Sequence, residues 1–200
     1  MGAASQIKTS LYVKMGNVEA AFRNLHQDLL DGCKAGDQKA QFQIYKLYYK
    51  AMYNTSLRIV NDTMEAEDIM QESFLSAFEK IDTYSGTVSF GAWLKRIVIN
   101  RSLDALSKRK AIFEDIEAHT GIRDVGSEET SRQEDLDLKV EEVKEAISKL
   151  PDGYRIILSL YLLEGYDHDE IAEILGISSS TSRSQLSRAK QKLISELKKK

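Results

Sequence analysis

The chain has 200 residues, 42% hydrophobic, 30% charged and 8% aromatic, with a formal net charge of −3, which suits one ordinary or two small globular domains. One proline, 11 glycines and the single Cys33 exclude a collagen-like or proline-rich chain, a disulfide framework and a cysteine-rich zinc site. No run of about 18 apolar residues spans a membrane, and the lone cysteine suits a reducing, cytoplasmic compartment.

The scarcity of helix breakers predicts an all-α protein. Residues 1–14 have no apolar signal core, and Met15 is an alternative start, so residues 1–18 read as a disordered leader. Helical spacing predicts a first helix over 19–35, with Phe22, Leu25, Leu29 and Leu30 inward. Asp37 is placed as the N-cap of a long helix through Val60, stopped by Asn61 and Asp62. Thr63 is placed as the N-cap of a third helix, with Glu65, Glu67 and Asp68 in its first turn. Its apolar positions are Ile69, Met70, Phe74, Ala77, Phe78 and Ile81. Residues 82–89 have turn chemistry and read as a loop. A fourth helix runs from Phe90 to about Arg109, with Trp93, Leu94, Ile97 and Leu103 as its core. Residues 111–133 read as a flexible linker. Helix resumes from Glu134 to Leu150, stops at Pro151-Asp152-Gly153, and restarts as an apolar helix from Ile156 to Leu163. A short helix from His168 to Leu175, a turn at Gly176-Ile177-Ser178 and a final helix from Ser179 to about Leu197 complete the chain.

Charge is uneven. Residues 1–110 carry 15 basic against 12 acidic side chains, residues 111–150 carry 5 against 12, and residues 177–200 carry seven against one. Two basic segments flank an acidic middle, so any DNA binding is weak until another component assists.

Three patterns carry chemistry. The stretch DHDEIAEILGISSSTSRSQLSRAKQKL, residues 167–193, has the arithmetic of a helix-turn-helix: short helix, three-residue turn with glycine, second helix. Ile171, Ala172, Leu175, Ile177, Leu186, Ala189 and Leu193 make its core. Ser180, Thr181, Ser184, Gln185 and Arg188 are placed outward with Arg183 at the edge, a set suited to base edges and phosphates. The plain alternative is a helical hairpin with a solvated basic face. The stretch AEDIMQESFLSAF, residues 66–78, is apolar on one face and shows Asp68, Gln71 and Glu72 on the other, with Glu79 beyond; taken alone, that is a solvated face. In YSGTVSFGAWLKRIVINRSLDALSKRK, residues 84–110, a polar loop with one aromatic leads into a helix bearing Lys95, Arg96, Asn100 and Arg101. Basic residues among aromatics suit single-stranded nucleic acid, and the alternative is core plus solvated charge.

In this order the three patterns resemble a bacterial RNA polymerase sigma factor of the extracytoplasmic-function type. GDQKAQFQIYKLYYKAMYNTSLRIVND (36–62) is similar to that family's first long helix, AEDIMQESFLSAF to the next, and LPDGYRIILSLYLLEGYDHDEIAEILGIS (150–178) to the approach to its last. Ser89, Phe90, Trp93, Leu94, Ile97, Asn100, Asp104 and Lys108 fall at the family spacing. The resemblance implies two small helical domains, residues 19–110 (region 2) and 134–200 (region 4), joined by the flexible acidic linker. It implies that Asp68, Gln71 and Glu72 dock on the clamp coiled coil of the polymerase's largest subunit, with the flap as a further polymerase contact. Tyr84, Ser85, Ser89, Lys95, Arg96, Asn100 and Arg101 would take the melted −10 element, one flipped base sitting near Asn100. Ser180, Thr181, Arg183, Ser184, Gln185 and Arg188 would read the −35 element. The partners implied are core polymerase, promoter DNA and an anti-sigma factor. The acidic linker either threads a basic polymerase channel or is plainly solvated. Ser182 stands where the family has an apolar side chain, and Gln185 and Lys190 where arginine is common.

No cofactor, metal site or catalytic set is expected: His26, His119 and His168 are scattered without ligand spacing. His168 reads as a surface or capping residue and Cys33 as a buried small side chain. A stand-alone helix-turn-helix regulator is the rival reading, and a decoy that binds only an anti-sigma factor the third.

Overall fold

The computed structural model describes residues 26–108 and 136–198. The predicted leader, the start of the first predicted helix, His119 and the predicted linker lie outside the described residues. Among the described residues all regular structure is helical. In chain order it comprises α1 (Gln27–Lys34), α2 (Gln38–Val60), α3 (Thr63–Glu79), a 3-10 turn (Ile81–Thr83) and α4 (Phe90–Lys108). There follow α5 (Leu136–Ser148), α6 (Asp152–Leu158) running into a π turn (Ser159–Leu163), α7 (His168–Leu175) and α8 (Ser179–Leu197). Packing groups residues 26–52 with 70–97 in one unit, and residues 53–69 with 98–108 and 136–198 in a second.

In the first unit, Asp37 starts α2 as expected: its carboxylate accepts the Lys39 N–H at 2.8 Å and its carbonyl the Gln41 N–H at 3.0 Å. The core joins Leu30, Cys33, Ile44, Met52, Met70, Phe74, Phe90 and Leu94, all buried. Tyr45 meets Phe74 edge-on at 5.0 Å and Tyr48 meets Phe90 at 5.5 Å. Gly91 is required by that packing, since a Cβ there would lie 2.9 Å from Tyr48 Cε1. Trp93 and Ile97 are half-buried rather than core. Residues 81–83 form a 3-10 turn where the sequence predicts loop from 82; Tyr84 N–H closes it on the Ile81 carbonyl at 3.1 Å.

In the second unit, α2 ends at Asn61, whose φ of 55° is the left-handed value asparagine tolerates. The cap of α3 is Asp62, one residue before the predicted Thr63: Asp62 Oδ1 accepts the Glu65 N–H at 2.9 Å. The Asp62 carboxylate reaches the first turn, while Thr63 already has helical backbone. One apolar cluster runs from Ile59, Val60, Ile69, Ile99 and Leu106 through Leu150, Ile156, Ile157, Leu158 and Leu160 to Ile171, Leu175, Leu186 and Ala189. Leu103, predicted as core, packs against it half-buried. Two charged side chains are set into this cluster. Arg155, 3% exposed, donates to the carbonyls of Arg58 (3.2 Å), Ile59 (2.8 Å) and Leu150 (3.2 Å) and pairs with Asp152 at 2.7 Å. The first two carbonyls belong to the last turn of α2, which has no further turn to bond them. Glu164, with a side chain 4% exposed, takes Arg58 Nη1 at 2.6 Å and the Thr55 hydroxyl at 3.1 Å.

The predicted apolar helix over 156–163 is an α-helix only to Leu158. Beyond it the Glu164 N–H reaches five residues back to Ser159 O at 3.0 Å, which makes a π turn. The wider turn exposes Leu162 and Leu163 and turns Glu164 inward.

Candidate nucleic-acid interface

The C-terminal helices are fixed by local chemistry. Asp167 caps α7 through the N–H groups of Asp169 and Glu170, both at 2.8 Å, while Glu170 Oε2 accepts the Asp167 N–H at 2.9 Å, a complete capping box. Gly176, at φ 67°, ends α7, and Ser178 accepts the Thr181 N–H at 3.1 Å to start α8. His168 is therefore neither cap nor plain surface residue. It lies in the first turn of α7, half-buried, stacked on Tyr161 at 4.8 Å with Nδ1 2.9 Å from Ser182 Oγ. That hydrogen bond explains a serine, fully buried, where an apolar residue is expected.

On α8, Ser180, Arg183 and Ser184 are exposed; Thr181 and Arg188 are half-buried, and Arg188 has a partner within the protein. Gln185 corrects the sequence reading: it is 6% exposed and packs inward, so its amide does not face a base edge. At 100° per residue it lies about 60° from Ser182 and on the same side as Leu186 and Ala189, so position outweighs polarity. The same arithmetic identifies a residue the sequence reading missed, Ser187, exposed beside Ser184. Lys190 is exposed with Nζ 5.6 Å from the Tyr161 ring.

The loop after the 3-10 turn is braced. The Tyr84 hydroxyl donates to Val88 O at 2.7 Å and the ring lies 5.4 Å from Trp93 and 5.6 Å from Phe90. The Ser85 and Thr87 hydroxyls meet at 3.0 Å, and Ser89 Oγ accepts the Ala92 N–H at 3.2 Å, capping α4. Ser85, Thr87 and Ser89 are exposed. Behind the loop is a cleft of about 570 Å³ lined by His26, Leu30, Tyr48, Val88 and Phe90 among others. Burial, and secondarily the neighbouring Tyr84, pushes the Tyr48 phenol above its ordinary value, keeping it a neutral donor. Lys95 and Arg96 in the first unit and Arg101 in the second are half-buried and each engaged within the protein, whereas Asn100 is exposed.

Helix α3 presents Asp68, Gln71 and Glu72 to solvent. Met64 (78% exposed) and Leu75 (64%) lie on the same stripe at four- and seven-residue spacing from Asp68, and Glu79 extends it. The sequence reading missed these two apolar residues. Their signal is that both fall outside the Ile69-Met70-Phe74 stripe, and large exposed apolar groups among acids mark a protein-binding face. Among the described residues no group of His, Cys, Asp and Glu could hold a metal ion, and no helix is long and apolar enough to cross a membrane.

Residues 44–112 match the family model for Sigma-70 region 2, and residues 140–193 that for Sigma-70, region 4. The ECF RNA polymerase sigma factor SigW of Bacillus subtilis is 30% identical over 173 residues, covering 82% of this chain and 92% of the relative. The ECF RNA polymerase sigma-E factor of Haemophilus influenzae is 30% identical over 176 residues, covering 82% and 91%. Among solved structures, the sigma factor RpoE in complex with the anti-sigma factor NepR from Bartonella quintana superposes with a TM-score of 0.54 at 25% identity, over 78% of this chain and 95% of that one. CnrH in complex with the cytosolic domain of CnrY shares the fold, with a TM-score of 0.52 at 22% identity over 85% and 95%.

Proposed function

Because the chain belongs to the sigma-70 family of RNA polymerase sigma factors, in its extracytoplasmic-function branch, we propose a division of labour among its surfaces. The protein is a regulatory subunit that binds core RNA polymerase and directs promoter-specific initiation. The observation that carries this is the co-linear pair of family matches, region 2 over residues 44–112 and region 4 over 140–193.

Residues 19–110 act as the polymerase-binding and −10-reading domain, residues 111–133 as the linker and residues 134–200 as the −35-reading domain. Asp68, Gln71 and Glu72, with Met64 and Leu75 beside them, dock on the clamp of the polymerase's largest subunit; the exposed acids suit a basic partner and the apolar pair gives the interface a dry centre. The loop 84–89 and Asn100 take the melted −10 strand. Ser85 and Ser89 offer hydroxyls, Tyr84 holds the loop's shape through Val88, and the exposed Asn100 can donate and accept to one base edge at once. Lys95, Arg96 and Arg101 add positive charge along α4. Arg183, Ser180, Ser184 and Ser187 face the −35 major groove, with Thr181 and Arg188 at the margins and Gln185 supporting from behind. The protein catalyses nothing alone, works in the cytoplasm, and is held by an anti-sigma factor, as the related Bartonella factor is.

A stand-alone helix-turn-helix regulator is not favoured, since such a protein has no use for a region 2 match over residues 44–112. Run-off transcription with core polymerase on a library of random promoters tests the function. Transcripts should start from a shared pair of elements only when the protein is present. Nanomolar sequence-specific duplex binding by the free protein at physiological salt, with no stimulation of polymerase, would refute it.

A further inference from the structure

Helix α2 has a property that polymerase docking and promoter reading, as assigned above, leave unused. From Gln38 to Val60 it contains no Asp or Glu, yet it carries Lys39, Lys46, Lys50 and Arg58 in a chain of net charge −3. Within the first unit the exposed arc alternates charge and ring. Lys39, Lys46 and Lys50 are exposed, and between them stand Phe42, 58% exposed, and Tyr49, 43% exposed. Leaving two large rings this open is costly on a helix that exists only to pack inward.

The rings are held rather than loose. Lys46 Nζ sits 5.4 Å from the centroid of the Phe42 ring. Tyr49 stacks on Tyr45 at 5.5 Å with an interplanar angle of 18°, and Tyr45 is wedged against buried Phe74 at 5.0 Å. At about 1.5 Å per residue, Phe42 and Tyr49 are roughly 10 Å apart along the axis, within the reach of two or three stretched nucleotides, with a lysine one turn from each.

We propose that this face of α2 binds single-stranded DNA without regard to sequence, bases stacking on Phe42 and Tyr49 while Lys39, Lys46 and Lys50 hold the phosphates. The occupant follows from charge and shape together. An anionic partner is required by an arc with three cations and no acid, and the flat exposed rings favour stacking bases over the branched side chains of an acidic peptide. The proposal rests on the sigma-factor reading only in that a melted promoter supplies the strand; the surface itself makes no use of polymerase.

The test uses the full-length protein without polymerase and fluorescence anisotropy of a labelled twelve-nucleotide oligothymidylate at low salt, so it can fail while promoter-directed transcription succeeds, and the reverse. Phe42→Leu with Tyr49→Leu keeps apolar bulk and helix and removes the rings; it should weaken binding by about tenfold. Lys46→Gln with Lys50→Gln should flatten the slope of log affinity against log salt by about 1.4, near 0.7 for each phosphate no longer neutralised. Circular dichroism should be unchanged, because all four side chains are exposed. The idea is overturned if the leucine variant binds like the wild type. It is equally overturned if an abasic oligomer of the same length binds as tightly, or if polyglutamate of matched charge displaces the oligomer as effectively as free oligothymidylate does.

Discussion

Replacing Arg155 by alanine should cost the second unit about 3–5 kcal/mol. The guanidinium is 3% exposed and is the partner of two carbonyls at the end of α2, those of Arg58 and Ile59, besides that of Leu150. Three charge-assisted hydrogen bonds are each worth roughly 1.5–3 kcal/mol, and water entering the vacated space returns part of that. Breaking a buried charge pair by removing one partner falls in the same range, about 3–5 kcal/mol. The pair with Asp152 is the smaller part, because the Asp152 side chain is 46% exposed; Asp152→Ala should cost under about 1 kcal/mol. Arg155→Lys should fall between, since an ammonium on a flexible stem cannot span three carbonyls fixed in one fork geometry. Urea unfolding followed by circular dichroism gives all three values. The reasoning is refuted if Arg155→Ala lies within about 1 kcal/mol of the wild type, or if Asp152→Ala costs as much as Arg155→Ala.

Reversing charge on α3, by Asp68→Arg or Glu72→Arg, should abolish capture of core polymerase while thermal unfolding stays unchanged; normal capture would displace the docking face. Arg183→Ala should weaken −35 recognition by about 1–3 kcal/mol at one base position, measured by transcription from a promoter series, whereas Gln185→Leu should leave base preference unaltered. A changed preference in Gln185→Leu would mean that the inward placement is not kept on DNA. Asn100→Ala should slow open-complex formation and shift −10 preference with −35 recognition intact, read by permanganate footprinting; wild-type rates on every −10 variant would remove the base-capture role. Burial, then the nearby Asp37 charge, pushes the Cys33 thiol up, so iodoacetamide at pH 8 should label it slowly in the native chain and fast in urea.

Helix positions in this chain are legible where polarity and period agree. The Asp37 start of α2, the Asn61 stop and the glycine turn before α8 follow from side-chain chemistry that acts over one to three residues. The α3 cap slips by one because Asp62 and Thr63 are both good capping residues, and only the backbone decides between them. Gln185 is misplaced when polarity is weighed above angle. His168 is unreadable since its partner, Ser182, lies 14 residues away and is reached only after two helices fold back. Arg155 gives no sign either: an arginine in an apolar run looks like a surface residue until the end of another helix supplies the carbonyls. The exposed Met64 and Leu75 are legible by phase yet easily passed over, because an acidic face invites the eye to its charges.

The π turn at Ser159–Leu163 also sets a length constraint. One residue more than an α-helix needs is housed there, so deleting one would let the hydrogen bonds close in the ordinary pattern with little local loss. Everything after it would then be turned by about 100° about the helix axis. Glu164 would swing off Arg58, and the later helices would meet the apolar cluster out of phase. This short stretch is therefore a place where substitutions are absorbed and gaps are not: its spelling is free, its count fixed.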